Sequence, residues 1–256
     1  MKRIETHDPV LDGDPVKYLW DLRVFAVSLL QNRDYAVWER MIVLGLFCKK
    51  LQELVENGPV DDIPGLIVHY RDLIEEGVSL KKGLGSIESK HSIQMELLKE
   101  IADKRYSNGI TSRRYLKCLS EFLNGIRYTR ESTVEEIGKR YNEAYREHYE
   151  PFMGEHEYIM ENYLVNHVYK NLFPFNDEKS LFDSYMMMVL HFALIKMHLI
   201  GMGAYHKGLT LELVIELIQS LAKTVEHNQR YLDEIAGLMR GNGYNTIGFM
   251  AILIKN

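Results

Sequence analysis

Between Pro64 and Pro151, and again from Pro174 to the last residue, the chain carries no proline. A proline inside a helix costs about 3 kcal/mol, so long stretches without one leave room for long helices. Apolar residues recur there at spacings of three and four. The period-2 alternation of strands is scarce. These patterns predict an all-α protein. A single helical domain over 1–256 is expected, built around a long buried helix near residues 179–206.

Local signals place the elements. Asp14-Pro15 is an N-cap acid followed by proline at the first helical position. Leu19, Leu22, Ala26 and Leu29 then share one face. A second helix begins near Asp34 and is stopped by Asn57-Gly58-Pro59. A third covers Ile63 to Glu76 and ends at Gly77, and residues 79–85 read as a loop. Further helices are predicted over 88–106, 112–126 and 133–148, with Asn108-Gly109 breaking the first from the second. Another spans 155–172 and is ended by Pro174. The long helix of 179–206 follows, then one capped by Thr210 and running to 226, and short ones over 231–239 and 245–254.

Charge and cysteine content exclude several classes. Thirty-six acids against 31 bases give a net charge of −5 over 256 residues, the wrong sign for a general phosphate binder. No nucleic-acid partner is expected. Cys48 and Cys118 are too few for a disulfide framework, or for a zinc or iron–sulfur site supplied by this chain. They read as reduced core thiols of a cytoplasmic protein. The N-terminus has no apolar run of the signal-peptide kind. The most hydrophobic stretch, 185–205, carries Lys196 near its middle, which a membrane span would tolerate badly. It reads as a buried helix, with no membrane partner.

The polar residues and glycine pairs hold the candidate sites. Gly201-Met-Gly203 and Gly241-Asn-Gly243 lack the preceding strand of a nucleotide cradle. The first reads as close helix packing and the second as a helix end. Glu88 and His91 form a lone Glu-x-x-His pair, where a di-iron bundle needs two. Glu157 and Glu161 share a face and read as a solvated helix start.

The long helix is more informative. His191, His198 and Tyr205 are seven residues apart and lie on one stripe. Such a row either lines a cleft or forms a satisfied polar seam against a neighbouring helix. Lys196 faces another way and needs a carboxylate, with Glu226 a candidate, or a lowered pKa. His191, His198, Tyr205 and Glu226 are the candidate catalytic residues. Met186, Met187, Met188, Met197 and Met202 read as core filler.

Several blocks of this chain resemble the C-terminal part of the flagellin lysine N-methylase family of bacteria. They are YLWDLRVFAVSLLQNRDYAVWERMIVLGLF from Tyr18, EHEYIMENYLVNHVYKNLFPF from Glu155, SYMMMVLHFALIKMHLIGMGAYHKG from Ser184, SLAKTVEHNQRYL, and the terminal NTIGFMAILIKN. The similarity runs from about residue 15 to the end. It implies methyl transfer from S-adenosylmethionine to lysine side chains of flagellin, with flagellin as the partner. Family members carry a preceding cysteine-rich segment associated with an iron–sulfur cluster. Neither Cys48 nor Cys118 matches it, so no cluster ligand carries over and the chain is expected to be a truncated or split member. A non-catalytic helical module that binds flagellin or another helical partner is the alternative.

Overall fold

The computed structural model describes residues 14–107, 112–129, 131–176, 180–226 and 228–256. Its α-helices are α1 (Leu19–Leu30), α2 (Val37–Asn57), α3 (Ile63–Glu76), α4 (Val78–Gly85), α5 (His91–Ser107), α6 (Arg113–Gly125), α7 (Val134–Ala144), α8 (Glu150–His156), α9 (Tyr158–Lys170), α10 (Leu181–His206), α11 (Leu211–Leu221), α12 (Gln229–Gly241) and α13 (Ile247–Ile254). No strand occurs among the described residues. The N-terminal segment 1–13 and the expected break at Asn108-Gly109 lie outside them.

The caps act where the sequence places them. Asp14 accepts from the Val16 N–H at 2.9 Å and opens a 3-10 turn, Pro15–Tyr18, that leads into α1. Thr210 accepts from the Leu213 N–H and starts α11. Four expected stretches need correction. Residues 79–85 are helical rather than a loop. Gly77, at φ +64°, ends α3, and its carbonyl accepts from the Lys81 N–H at 2.9 Å, so a new helix begins at once and is anchored by buried Leu84. The stretches read as 133–148 and 210–226 each pass into a π-helical turn, Tyr145–Tyr149 and Ala222–Glu226. Pro151 lies in the first turn of α8, directly after the π-helical turn, so α8 starts before the predicted helix and α9 after it.

By backbone contacts the chain divides into two compact units. The first comprises the described residues up to Ile87 with Tyr158–Val189. Here α1 packs on α2, α3 and α9. Its core includes Phe25, Phe47 and Tyr70, with ring centroids 4.3 Å apart for the first pair and 5.3 Å for the second. Gly45 lets α2 approach Tyr185, since a Cβ there would stand 2.4 Å from the tyrosine ring. Gln52 of α2 accepts from the Leu181 N–H at 2.8 Å, satisfying one of the orphan donors that open α10.

Glu161 overturns the reading of a solvated helix start. It is 3% exposed and receives a hydrogen bond from Arg40, itself 1% exposed, at 2.8 Å. Arg33 adds a two-pronged contact at 2.9 and 3.2 Å. Arg40 also donates to the carbonyls of Tyr35 at 2.6 Å and Leu30 at 2.7 Å. These bonds hold the Glu161 carboxyl below its ordinary pKa, Arg33 most of all, against the opposing effect of desolvation.

The second unit comprises Glu88–Glu157 with Leu190–Asn256. Helix α5 packs on α7, α12 and α13, and α6 packs on α11. At one crossing α6 and α10 meet backbone to backbone. A Cβ on Gly125 would stand 1.8 Å from the Gly201 carbonyl oxygen, and one on Gly201 would stand 2.6 Å from the carbonyl oxygen of Phe122. Gly201 therefore serves close packing, as its place in a helix implied.

Helix α10 contributes to both units. It is long and apolar enough to cross a membrane by length and composition, but its most apolar window, of mean hydropathy 1.5, is wholly buried. Met186, Met187, Met188, Met197 and Met202 are all buried in it.

Candidate functional site

The part of α10 inside the second unit carries the predicted polar stripe, and its members meet different environments. His198 is fully enclosed. Its Nδ1 lies 2.8 Å from the Leu194 carbonyl and its Nε2 lies 3.4 Å from the Tyr115 hydroxyl of α6. Those partners assign the tautomer: Nδ1–H donates to the carbonyl, and Nε2 accepts from the phenol. Burial drives its pKa down to about 4, so the ring is neutral at pH 7. Phe122 closes the other side, with ring centroids 5.2 Å apart. Of the two sequence readings, His198 takes the one in which a polar seam is satisfied by a neighbouring helix. His191 is buried as well, whereas Tyr205 is 49% exposed. The stripe thus runs from the core to the surface.

Lys196 follows the second of its two expected routes. It is buried, and desolvation lowers its pKa to about 7. Its Nζ donates to the Ile254 carbonyl at 2.7 Å, in the last turn of α13. No carboxylate among the described residues lies within ion-pair distance. The side chain of Glu226 lies outside the described residues. Gln94 of α5 donates to the neighbouring Leu253 carbonyl at 2.9 Å, so two buried side chains cap the orphan carbonyls that end α13. His91, on the same face of α5, has its pKa lowered by burial first and then by the charges of Lys196 and Arg146.

At the surface end of α10 the structure brings together two residues absent from the sequence reading. Glu121 of α6 is 7% exposed, and its Oε2 lies 3.2 Å from Nε2 of His206. Lys117 stands 3.8 Å from the other oxygen but is held more closely by Glu216 of α11, at 3.0 Å. Arg114 also reaches Glu216, at 3.5 Å. The Tyr205 ring meets His206 edge to face at 4.9 Å. The Lys117–Glu121 spacing of four was visible on the helix. The partner histidine was not, because its approach depends on the Gly125–Gly201 crossing.

Residues 23–253 match the FliB lysine N-methylase C-terminal domain. The chain belongs to that family. No curated protein and no solved structure matches it. In this FliB C-terminal domain the cleft beside α3, lined by Phe25, Asn32, Arg71 and Glu75 among others, holds about 230 Å³. Sites for drug-sized ligands and cofactors start near 300 Å³ and enclose most of the ligand. The cleft therefore does not fit a donor as large as S-adenosylmethionine. Neither glycine pair supplies a cradle: Gly201 and Gly203 lie within α10, and Gly243, at φ +69°, closes the end of α12.

The cysteines do not fit an iron–sulfur cluster either. A cluster needs several thiolates together, whereas Cys48 and Cys118 are both buried thiols with pKa values raised by desolvation. Among the described residues no group of three His, Cys, Asp or Glu side chains forms a metal site. A thiol-reactive maleimide at pH 7 is expected to label neither cysteine in the folded protein and both in denaturant. Fast labelling of the native chain would contradict their burial.

Proposed function

We propose that the chain is the C-terminal part of a protein-lysine N-methylase that acts on flagellin in the cytoplasm, with S-adenosylmethionine as methyl donor. The single observation behind this reading is the family match over 23–253. In the reaction a lysine nitrogen takes the methyl group of a sulfonium, and one proton is lost. Lysine has a reference pKa of about 10.4, so the protein must also favour the neutral amine. The close α6–α10 crossing offers a platform for positioning a substrate side chain, which is where much of the rate of a group transfer arises.

The second reading, a helical module that binds flagellin without turnover, is favoured by the enclosure of His198 and the tie of Lys196 to a backbone carbonyl. Both residues are occupied with packing.

Deleting the gene in the organism that carries it tests the first reading in the protein's own setting. Peptide mass spectrometry of flagellin is expected to show methyl-lysine in the parent and none in the deletion strain. Unchanged methyl-lysine after deletion rejects it. Flagellin that co-purifies with the chain, but carries no methyl-lysine in the parent, selects the binding module.

A further inference from the structure

The surface end of α10 has three groups in order of increasing exposure. Glu121 is buried, His206 stands in front of it with 31% of its side chain exposed, and Tyr205 beside them is 49% exposed. Glu121 Oε2 is shielded from solvent and accepts no aligned hydrogen bond, even though the imidazole nitrogen is only 3.2 Å away. The carboxylate oxygen is therefore an unspent acceptor beside the histidine. Its other charged neighbour, Lys117, is drawn off by Glu216.

The scaffold beneath is closely packed. Gly125 and Gly201 put the backbones of α6 and α10 in contact, and a Cβ at Gly125 would also stand 3.0 Å from the Tyr205 nitrogen. A carboxylate and an imidazole are thus fixed across two helices, with an aromatic ring turned outward next to them.

Resting on the methylase reading above, we infer that Tyr205, His206 and Glu121 form the seat of the substrate lysine, with His206 as the acceptor of its proton. The exposed tyrosine ring offers a face to the ammonium. In the step itself one N–H bond of the ammonium breaks. Its electron pair stays on the lysine nitrogen, and the proton passes to His206 Nδ1. Nε2–H of the resulting imidazolium faces the Glu121 carboxylate, which stabilises the charge, as a buried carboxylate does behind a catalytic histidine. The amine left behind has the lone pair that methyl transfer requires. Of the other charged groups on these elements, Lys117 of α6 stands 3.8 Å from Glu121, Glu216 of α11 holds Lys117 at 3.0 Å, Arg114 reaches Glu216 at 3.5 Å, and Lys207 follows His206 in the chain. His148 packs its Cβ near Gly203, one turn back. The carboxylate that pairs with His206 is that of Glu121, 3.2 Å from Nε2.

The test uses the full chain and two flagellin peptides, identical except that norleucine replaces the lysine in one. Calorimetry is expected to show the lysine peptide binding at least roughly tenfold more tightly, a difference that a paired charge can supply. Tyr205→Ala is expected to weaken it by roughly three- to fivefold and Tyr205→Phe by less than about twofold. The His206 imidazole signal, followed by NMR, shifts with the lysine peptide and not with the norleucine peptide. Where the chain methylates, His206→Gln lowers kcat/KM by about 100-fold and removes the acid limb of its pH profile. A merely structural ion pair would leave that limb in place.

Equal binding of the two peptides overturns the seat, as does an unaltered affinity in Tyr205→Ala. Discrimination between the peptides with the His206 shift, together with flagellin methyl-lysine unchanged by the gene deletion, supports the seat and removes the methylase reading. Methyl-lysine formed at wild-type rate and pH dependence by His206→Gln keeps that reading and removes the seat.

Discussion

Glu161→Ala is expected to cost about 3–5 kcal/mol of unfolding free energy, most of the margin of an ordinary domain. The reason is what it leaves behind. Arg40 is fully buried, and its guanidinium would keep the carbonyls of Tyr35 and Leu30 but lose the Glu161 carboxylate 2.8 Å away. Arg33 contacts the same carboxylate with its side chain 70% exposed, so Arg33→Ala is expected to cost under about 1 kcal/mol. The double variant Arg40→Met with Glu161→Leu should recover most of the loss, because it removes both charges together. Urea midpoints at pH 7 decide the matter. A Glu161→Ala midpoint equal to that of Arg33→Ala would show that burial of Arg40 is not what carries the effect. Acid adds a second signature. The folded carboxyl titrates below its unfolded value of about 4.3, so its contribution is whole above that pH and fades as pH falls through the folded pKa. The alanine variant lacks that part of the acid sensitivity.

The helices were legible because their signals are local. Asp14, Thr210 and Gly77 act on backbone groups two to four positions away, and a proline-free run limits what can follow. The interactions that distinguish this molecule are not local. Arg40 and Glu161 lie 121 positions apart, and no spacing rule connects them. The partner of Lys196 is a backbone carbonyl, which every residue possesses, so no side-chain pattern could point to it. The histidine stripe was correctly placed on one helix, but periodicity says which residues share a face and not what the face meets. His198 meets Tyr115 and Phe122, while Tyr205, seven positions on, meets solvent. Glu121 and His206 escaped notice for a related reason. Their meeting depends on two glycines, 76 residues apart in the chain, whose missing side chains allow two backbones to touch.

Lys196→Met is expected to stabilise the protein below neutral pH, by an amount that shrinks as pH rises. In the unfolded chain this amine titrates near 10.5, and in the folded core near 7. Between those values the unfolded state binds a proton that the folded state does not, so wild-type stability climbs with pH across the window and is flat on either side. Three to four pKa units correspond to roughly 5 kcal/mol of penalty below pH 7. Methionine fills a similar volume with no charge and escapes that penalty. It also abandons the Ile254 carbonyl, which costs about 1–3 kcal/mol at every pH. The two effects predict a variant more stable than wild type by a few kcal/mol at pH 6. Near pH 10 it should be equal or slightly weaker, because by then the wild-type amine is neutral in both states. Comparing the two proteins cancels the other lysines and tyrosines that titrate in this range. Chemical denaturation at half-unit steps from pH 6 to 10 measures the difference directly. Two parallel curves would mean that Lys196 is as easily protonated in the folded protein as in water, and that its amine is not buried in solution. Hydrogen exchange then reads the local consequence. With the lysine gone, amides in the last turn of α13 should exchange faster at pH 10, while Gln94 still holds the Leu253 carbonyl one residue earlier.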